Sequence, residues 1–159
     1  MKQNELSLWL KLIIILCGCF GLLFCIYIGP ETGRAVLLSS KSLKGLYKPF
    51  VLFIWITGVP FFSALFLGWK ICSEIASDKS FTVKNANRLK RISILSMTEG
   101  ILYIEALLYI FVAGSYHTSV LVILLLILFF SVVISIFTSL LSHLIRKASE
   151  IKDDNDLTI

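Results

Sequence analysis

The stretch SVLVILLLILFFSVVISIFTSLLSHLI, residues 119–145, decides the fold class of this chain. It contains no Asp, Glu, Lys or Arg, and it is longer than the roughly 20 apolar residues that cross about 30 Å of hydrocarbon as a helix. The stretch therefore predicts a transmembrane helix.

The rest of the chain repeats this pattern. Its 159 residues are 57% hydrophobic and only 16% charged, with a mean hydropathy of +0.90, far from the average of soluble domains. We expect an all-α integral membrane protein with four transmembrane helices and no soluble domain. The predicted parts of this single domain, 1–159, are spans at 9–28, 50–71, 92–113 and 119–145, a basic loop at 72–91 and an acidic C-terminal tail at 147–159.

Two segments near the N-terminus allow alternative interpretations. LCGC, Leu16–Cys19, is similar to a lipoprotein cleavage site, but residues 20–28 stay apolar, which favours a retained helix. Gly29-Pro30 and Pro49 are expected to end the helices on either side of the first loop. That loop is either a short helix lying in the membrane interface or an ordinary polar connection.

Basic residues predict the orientation. With four spans, both termini and the middle loop share one side, and they hold eleven of the fifteen Lys and Arg residues, whereas the first loop holds the other four. Because cytoplasmic segments carry the excess of Lys and Arg, we expect both termini in the cytoplasm.

The stretch SFTVKNANRLKRIS, residues 80–93, concentrates the cations of the middle loop. Ser80 or Thr82 is suited to cap a helix that continues into the third span. We expect its cations to contact anionic lipid headgroups or a protein partner, since about twenty residues are too few to build a direct reader of nucleic acid. These cations are Lys84, Arg88, Lys90 and Arg91, of which Lys84, Arg88 and Arg91 share one helical sector.

The C-terminal tail carries the opposite charge. The chain ends EIKDDNDLTI, residues 150–159, with carboxylates that include Asp153, Asp154 and Asp156. If the last helix continues past the membrane, these carboxylates lie on the same side as the basic stretch, and screening over ~8 Å still permits contact at short range. We hypothesise a latch between the tail and the cations of residues 84–91.

Two carboxylates, Glu99 and Glu105, fall inside the third span. Ionisable groups at membrane depth are costly and usually face the bundle interior or water. The six-residue separation points the two side chains in nearly opposite directions. Glu99 is either a relay point for protons or cations or a polar packing contact. It shares a face, which we expect to pack against other helices, with Ser93, Ser96, Gly100 and Tyr103.

A stripe of hydroxyl residues runs along the fourth span. Its members, at steps of four, three and four, are Ser131, Ser135, Thr138 and Ser142. Small hydroxyl residues at this spacing let helices approach closely and form hydrogen bonds across the contact. The stripe predicts a packing seam, either within the chain or between copies in a homo-oligomer.

No pattern of cysteine or histidine predicts a metal site. Cys17 and Cys19 point to opposite faces of a helix, and neither His117 nor His143 has companions at ligand spacing. We expect no metal, no cofactor and no enzymatic activity, because no nucleophile, base and oxyanion donors can be placed together.

Two short motifs carry a family resemblance. One is Phe81, Asn85, Leu89 and Ile92 in the basic stretch, and the other is the closing Asp156-Leu157-Thr158-Ile159. Together they resemble a bacterial family of small four-span membrane proteins, domain of unknown function 2975. The resemblance implies a multi-pass protein of a bacterial cell membrane with no established activity. Genes of this family tend to lie beside one for a small helix-turn-helix transcription regulator, which implies a membrane partner that holds or modulates that regulator.

Two classes of function follow. The first is a regulatory interaction protein whose basic helix and acidic tail hold a soluble partner. The second is a small transport, immunity or stress-protection protein that acts through the bilayer portion, with Glu99 as its key group. The sequence has no internal repeat of the kind that many transporters show.

Overall fold

The computed structural model describes residues 3–37, 44–77, 80–112, 114 and 118–156, and for residues 3, 36, 37, 44, 119, 153, 155 and 156 it describes the backbone alone. The described chain is almost entirely helical. Its elements are α1 (Gln3–Leu23), a π-helical turn (Phe24–Ile28), α2 (Gly29–Leu37), a 3-10 turn (Lys44–Leu46), α3 (Tyr47–Ile75), α4 (Val83–Val112) and α5 (Thr118–Asp156).

Four helical stretches are long and apolar enough to cross a membrane. They are Asn4–Ala35, Tyr47–Ile75, Val83–Val112 and Val120–Lys152. The predicted class, an all-α membrane protein with four spans, is confirmed. Large apolar side chains along all four stretches are exposed, as lipid-facing surfaces of a membrane protein are.

The first span continues through Gly29-Pro30, so the prediction that this pair ends the helix is wrong. The N–H of Gly29 donates to the carbonyl of Phe24, five residues back, in the π-helical turn. A π turn shifts the hydrogen-bond ladder by one residue, which accommodates a proline that has no N–H to donate. Pro49 likewise lies in the first turn of α3, where no N–H donor is required. Residues 38–43 of the first loop lie outside the described part of the chain.

The helices pack in chain order, α1 on α3, α3 on α4 and α4 on α5. Each of these helices is antiparallel to the next. Ser7, near the start of α1, donates its hydroxyl to the carbonyl of Cys72, near the end of α3, at 2.6 Å. The starts of α1 and α4 therefore lie at the same end of the molecule as the ends of α3 and α5. We call this end the basic end, and its cations on described residues are Lys11, Lys70, Lys84, Arg88, Lys90, Arg91, Arg146, Lys147 and Lys152. Its cytoplasmic location stays a prediction.

The predicted serine stripe packs within the chain, against α4. Ser93 Oγ donates to the Ser135 carbonyl at 2.9 Å, and Ser135 Oγ donates back to the Ser93 carbonyl at 3.0 Å. Ser142 Oγ donates to the Ala86 carbonyl at 2.7 Å. Ser131 is buried as well, whereas Thr138 Oγ1 donates within its own helix, to Ile134. The contact uses small residues of α4 at intervals of seven, namely Ala86, Ser93 and Gly100.

Candidate functional site

Glu74, the residue before the last of α3, joins two cations of α4. Its Oε1 lies 3.1 Å from Lys84 Nζ and 2.9 Å from Arg88 Nη1. The Arg88 side chain is only 13% exposed, whereas that of Lys84 is 69% exposed. Hydrogen bonds between charged partners are roughly twice as strong as neutral ones. Arg88 therefore connects residues within the basic end, whereas most of the Lys84 side chain stays accessible.

Asn85 holds the turn that leads into α4. It is fully buried, and its N–H donates to Thr82 Oγ1 at 3.3 Å. Thr82 is thus the N-cap of α4, which confirms one of the two predicted caps. The Asn85 side chain donates from Nδ2 to the Ser80 carbonyl at 3.3 Å and accepts at Oδ1 from Arg88 at 2.9 Å. Arg88 also donates to the Lys70 carbonyl at 3.4 Å, so one guanidinium connects the turn with α3.

The remaining predicted cations lie open to the surroundings. Lys90 and Arg91 are exposed on α4, and Arg146 and Lys147 are exposed on α5. Arg146 Nη2 donates to Asn87 Oδ1 at 2.6 Å, which joins α5 to the first turn of α4. The structure thus brings Lys84, Lys90, Arg91, Arg146 and Lys147 to one end of the molecule.

The last helix continues beyond the start of α4, as the latch hypothesis requires. Because Ser142 contacts Ala86 and Arg146 contacts Asn87, the final turns of α5 extend past Val83. Glu150 and Asp154 are exposed there, while the side chains of Asp153 and Asp156 and the whole of 157–159 lie outside the described residues. Lys84 and Arg88 contact Glu74, so a latch between them and the tail stays a prediction.

Glu74 was not predicted as a site residue, and Asn85 had no predicted role beyond the family motif. A signal for Glu74 was present, because α3 and α4 form an antiparallel hairpin with a short connection. Such a hairpin brings the last turn of one helix next to the first turn of the other. The carboxylate at 74 and the cations at 84 and 88 then become neighbours.

Glu99 occupies the face of α4 that packs on other helices. Gly100 and Tyr103 on this face are buried, as predicted, and Glu105 is exposed elsewhere on the helix. Glu99 itself is partly buried, and its Oε2 is buried with no hydrogen-bond partner among the described residues. A buried carboxylate oxygen without a partner is costly, so this atom requires a physical explanation.

Groups of α3 and of the π-helical turn lie near this face of α4. Thr57 lies beside Tyr103, and the Tyr103 ring packs edge-on against Phe53 with centroids 5.3 Å apart. Cys25, in the π-helical turn, lies close to Gly58 of α3, because a Cβ added at Gly58 would be 3.5 Å from Cys25 Sγ. Across the described part of the chain, no group of three His, Cys, Asp or Glu side chains could hold a metal ion.

Comparisons with known proteins place the chain in a family. A family model described as "Protein of unknown function (DUF2975)" matches residues 38–159. The chain is also similar to the uncharacterized membrane protein YoaS of Bacillus subtilis (strain 168), with 28% identity over 160 aligned residues that cover 99% of this chain and 100% of YoaS. No solved structure matches it. The four spans, the motif around Asn85 and the match to most of the chain agree: this protein belongs to the DUF2975 family of membrane proteins.

Proposed function

We propose that this protein is a regulatory interaction protein of a bacterial cell membrane, rather than an enzyme, and that it holds or modulates a small helix-turn-helix transcription regulator. The proposal rests on the arrangement of the charged residues at the basic end. Arg88 is tied to Glu74, Asn85 and the Lys70 carbonyl, while Lys84 and its exposed neighbours face outward. A surface held rigid in advance loses less entropy when a partner binds, which suits it to protein recognition.

The end of α5 supports the choice of a DNA-binding partner. The helix continues for ten residues after Arg146, about 15 Å at 1.5 Å per residue. This segment includes Glu150 and Asp154, both exposed, and the acidic residues 153 and 156. DNA-binding domains carry a basic surface for phosphates. Carboxylates on a projecting helix compete for that surface, so binding to the tail keeps the regulator off DNA.

The test is an affinity pull-down of the full chain from gently solubilised membranes. We expect a small DNA-binding protein to co-purify with the unchanged chain. We expect its recovery to fall strongly with the triple variant D153N/D154N/D156N, which keeps the length of the tail. Lys152→Gln serves as the matched control and retains the partner. Recovery of no DNA-binding protein from a chain whose tail is intact and accessible would contradict the proposal.

A second candidate function rests on the buried Oε2 of Glu99. A small transport, immunity or stress-protection protein would use such a carboxylate as a relay point for a proton or cation in the bilayer. In that case Glu99→Gln abolishes the function, and Glu105→Gln, an exposed position on the same helix, preserves it. For the regulatory function, Glu99→Gln leaves the recovery of the partner unchanged. The variants Glu99→Gln and Glu105→Gln therefore distinguish the two candidate functions.

A further inference from the structure

A groove lies between α3 and α4 on the membrane side of the basic end. Its volume is about 340 Å³, and it is lined by Ser63, Phe66 and Leu67 of α3 and by Arg91, Ile94 and Leu95 of α4. The antiparallel packing of the two helices gives the groove a direction. Arg91 and Leu67 lie nearer the basic end, whereas Leu95 and Ser63 lie about one turn further into the span.

The polarity of the groove changes along this direction. Arg91, at the outer end, is exposed, and the walls that continue inward are apolar. Ser63 is a polar residue in these walls, but its hydroxyl donates to the carbonyl of Val59 in its own helix at 2.8 Å. The Ser63 hydroxyl therefore needs no hydrogen-bond partner from a ligand. A groove with a charged outer end and apolar walls further inward is suited to bind an amphipathic molecule.

A second cation, Lys70, lies close to the groove. The side chain of Lys70 reaches back along α3, and its Nζ lies 4.3 Å from the centroid of the Phe66 ring. Because Phe66 lines the groove, this ammonium group adds a second cation close to it, besides Arg91 in its wall. Lys84 and Arg88 are paired with Glu74, but the ion pairs found among the described residues include neither Lys70 nor Arg91.

We propose that this groove binds one anionic phospholipid, with the phosphate between Arg91 and Lys70 and an acyl chain along Leu67, Ile94 and Leu95. Two cations that join no ion pair among the described residues complement a phosphodiester, and basic pockets between membrane helices bind such headgroups. The apolar walls account for the selection of a lipid over a free anion. The site lies on the flank of the helices and does not depend on the proposed regulator.

The test uses native mass spectrometry of the full chain in detergent, titrated with dioleoyl phosphatidylglycerol or dioleoyl phosphatidylcholine. We expect one phosphatidylglycerol to be retained in preference to phosphatidylcholine. Arg91→Gln weakens this retention about fivefold, the effect of roughly 1 kcal/mol per basic residue at an anionic surface. Lys90→Gln removes the same charge from the adjacent exposed position and leaves the retention unchanged. Ile94→Trp narrows the apolar wall and weakens retention with both cations in place.

Four results would overturn the proposal. Equal weakening by Arg91→Gln and Lys90→Gln indicates diffuse attraction to the basic end instead of a site. Equal retention of the two lipids excludes recognition of the negative charge. Displacement of phosphatidylglycerol by an equal concentration of inorganic phosphate indicates a bare anion site, as does unchanged retention in Ile94→Trp. All the substituted positions are surface-accessible, and the thermal unfolding of each lipid-free variant confirms that it folds.

Discussion

At the scale of single residues, Glu74 organises the basic end. It is the carboxylate that meets Arg88, whose guanidinium is largely withdrawn from solvent. A charge in that position requires a partner, because burying an unpaired ion costs several kcal/mol. The same carboxylate also contacts Lys84, which lies near the solvent. One acidic residue thus holds the turn between α3 and α4 and positions the cations that remain exposed.

We predict that Glu74→Gln destabilises the protein by about 1–3 kcal/mol, because it leaves Arg88 without its charged partner. The measurement is thermal unfolding of the purified chain in detergent. Glu31→Gln provides a matched control, since Glu31 pairs with Arg34 at 3.5 Å with both side chains about 60% exposed. Pairs of that kind contribute ~0.5 kcal/mol or less. Equal unfolding temperatures for the two variants would refute the role assigned to Glu74.

The sequence predicted those site residues whose properties follow from a single helix. The cap at Thr82 and the inward face of Glu99 both depend on local spacing, so both could be read from the chain. Glu74 could not be found in this way, because its partners belong to another helix. Its importance follows from the contact between α3 and α4, which local patterns do not contain.

At the scale of elements, the seam between α4 and α5 joins the last two spans. It combines reciprocal hydroxyl bonds between Ser93 and Ser135 with small residues spaced by seven along α4. A seven-residue repeat keeps one face of a helix turned toward its neighbour, and small side chains let the backbones approach. The stripe on α5 was predicted from spacing, but its partner was not. Hydroxyl spacing alone does not distinguish a neighbour in the same chain from a second copy.

We predict opposite outcomes for two substitutions in this seam. Ala86 is fully buried, so Ala86→Leu forces the helices apart and costs about 1–3 kcal/mol. A Cβ at Gly100 lies 3.6 Å from Leu128 Cδ1 and 3.8 Å from Ser131 Cβ, which is ordinary contact. Gly100→Ala is therefore accommodated and stabilises the helix by up to ~1 kcal/mol through backbone propensity. Thermal unfolding in detergent measures both, and destabilisation by Gly100→Ala would contradict the packing described for the seam.

The first span shows that local sequence rules do not always predict where a helix ends. A glycine followed by a proline ordinarily punctuates a helix, and on that basis the span was expected to end at residue 28. The π-helical turn at Phe24–Ile28 carries the helix onward through Pro30. This part of the span packs against α3, where Ile54 lies close to Gly29. The pattern of residues 24–30 alone does not include that contact.

At the scale of the whole molecule, the chain is a row of antiparallel spans with most of its described cations at one end. The order α1, α3, α4 and α5 follows the chain, so each connection joins neighbours. This arrangement places the starts of α1 and α4 beside the ends of α3 and α5. The proposed partner surface, the projecting end of α5 and the proposed lipid groove consequently lie near the same membrane interface. The proposed regulator requires that interface to be the cytoplasmic one, whereas the proposed lipid groove does not.

We predict this orientation from the cations, and reporter fusions test it. The basic end contains nine Lys and Arg side chains on described residues, and translocating them across a membrane is unfavourable. A green fluorescent protein fused after residue 159 is expected to fluoresce, and alkaline phosphatase at the same position to be inactive. Alkaline phosphatase fused after Gly114, between α4 and α5 at the opposite end, is expected to be active. The reverse pattern would mean that the four cations of the first loop determine the orientation. It would place the basic end outside the cell, where no transcription regulator can reach it.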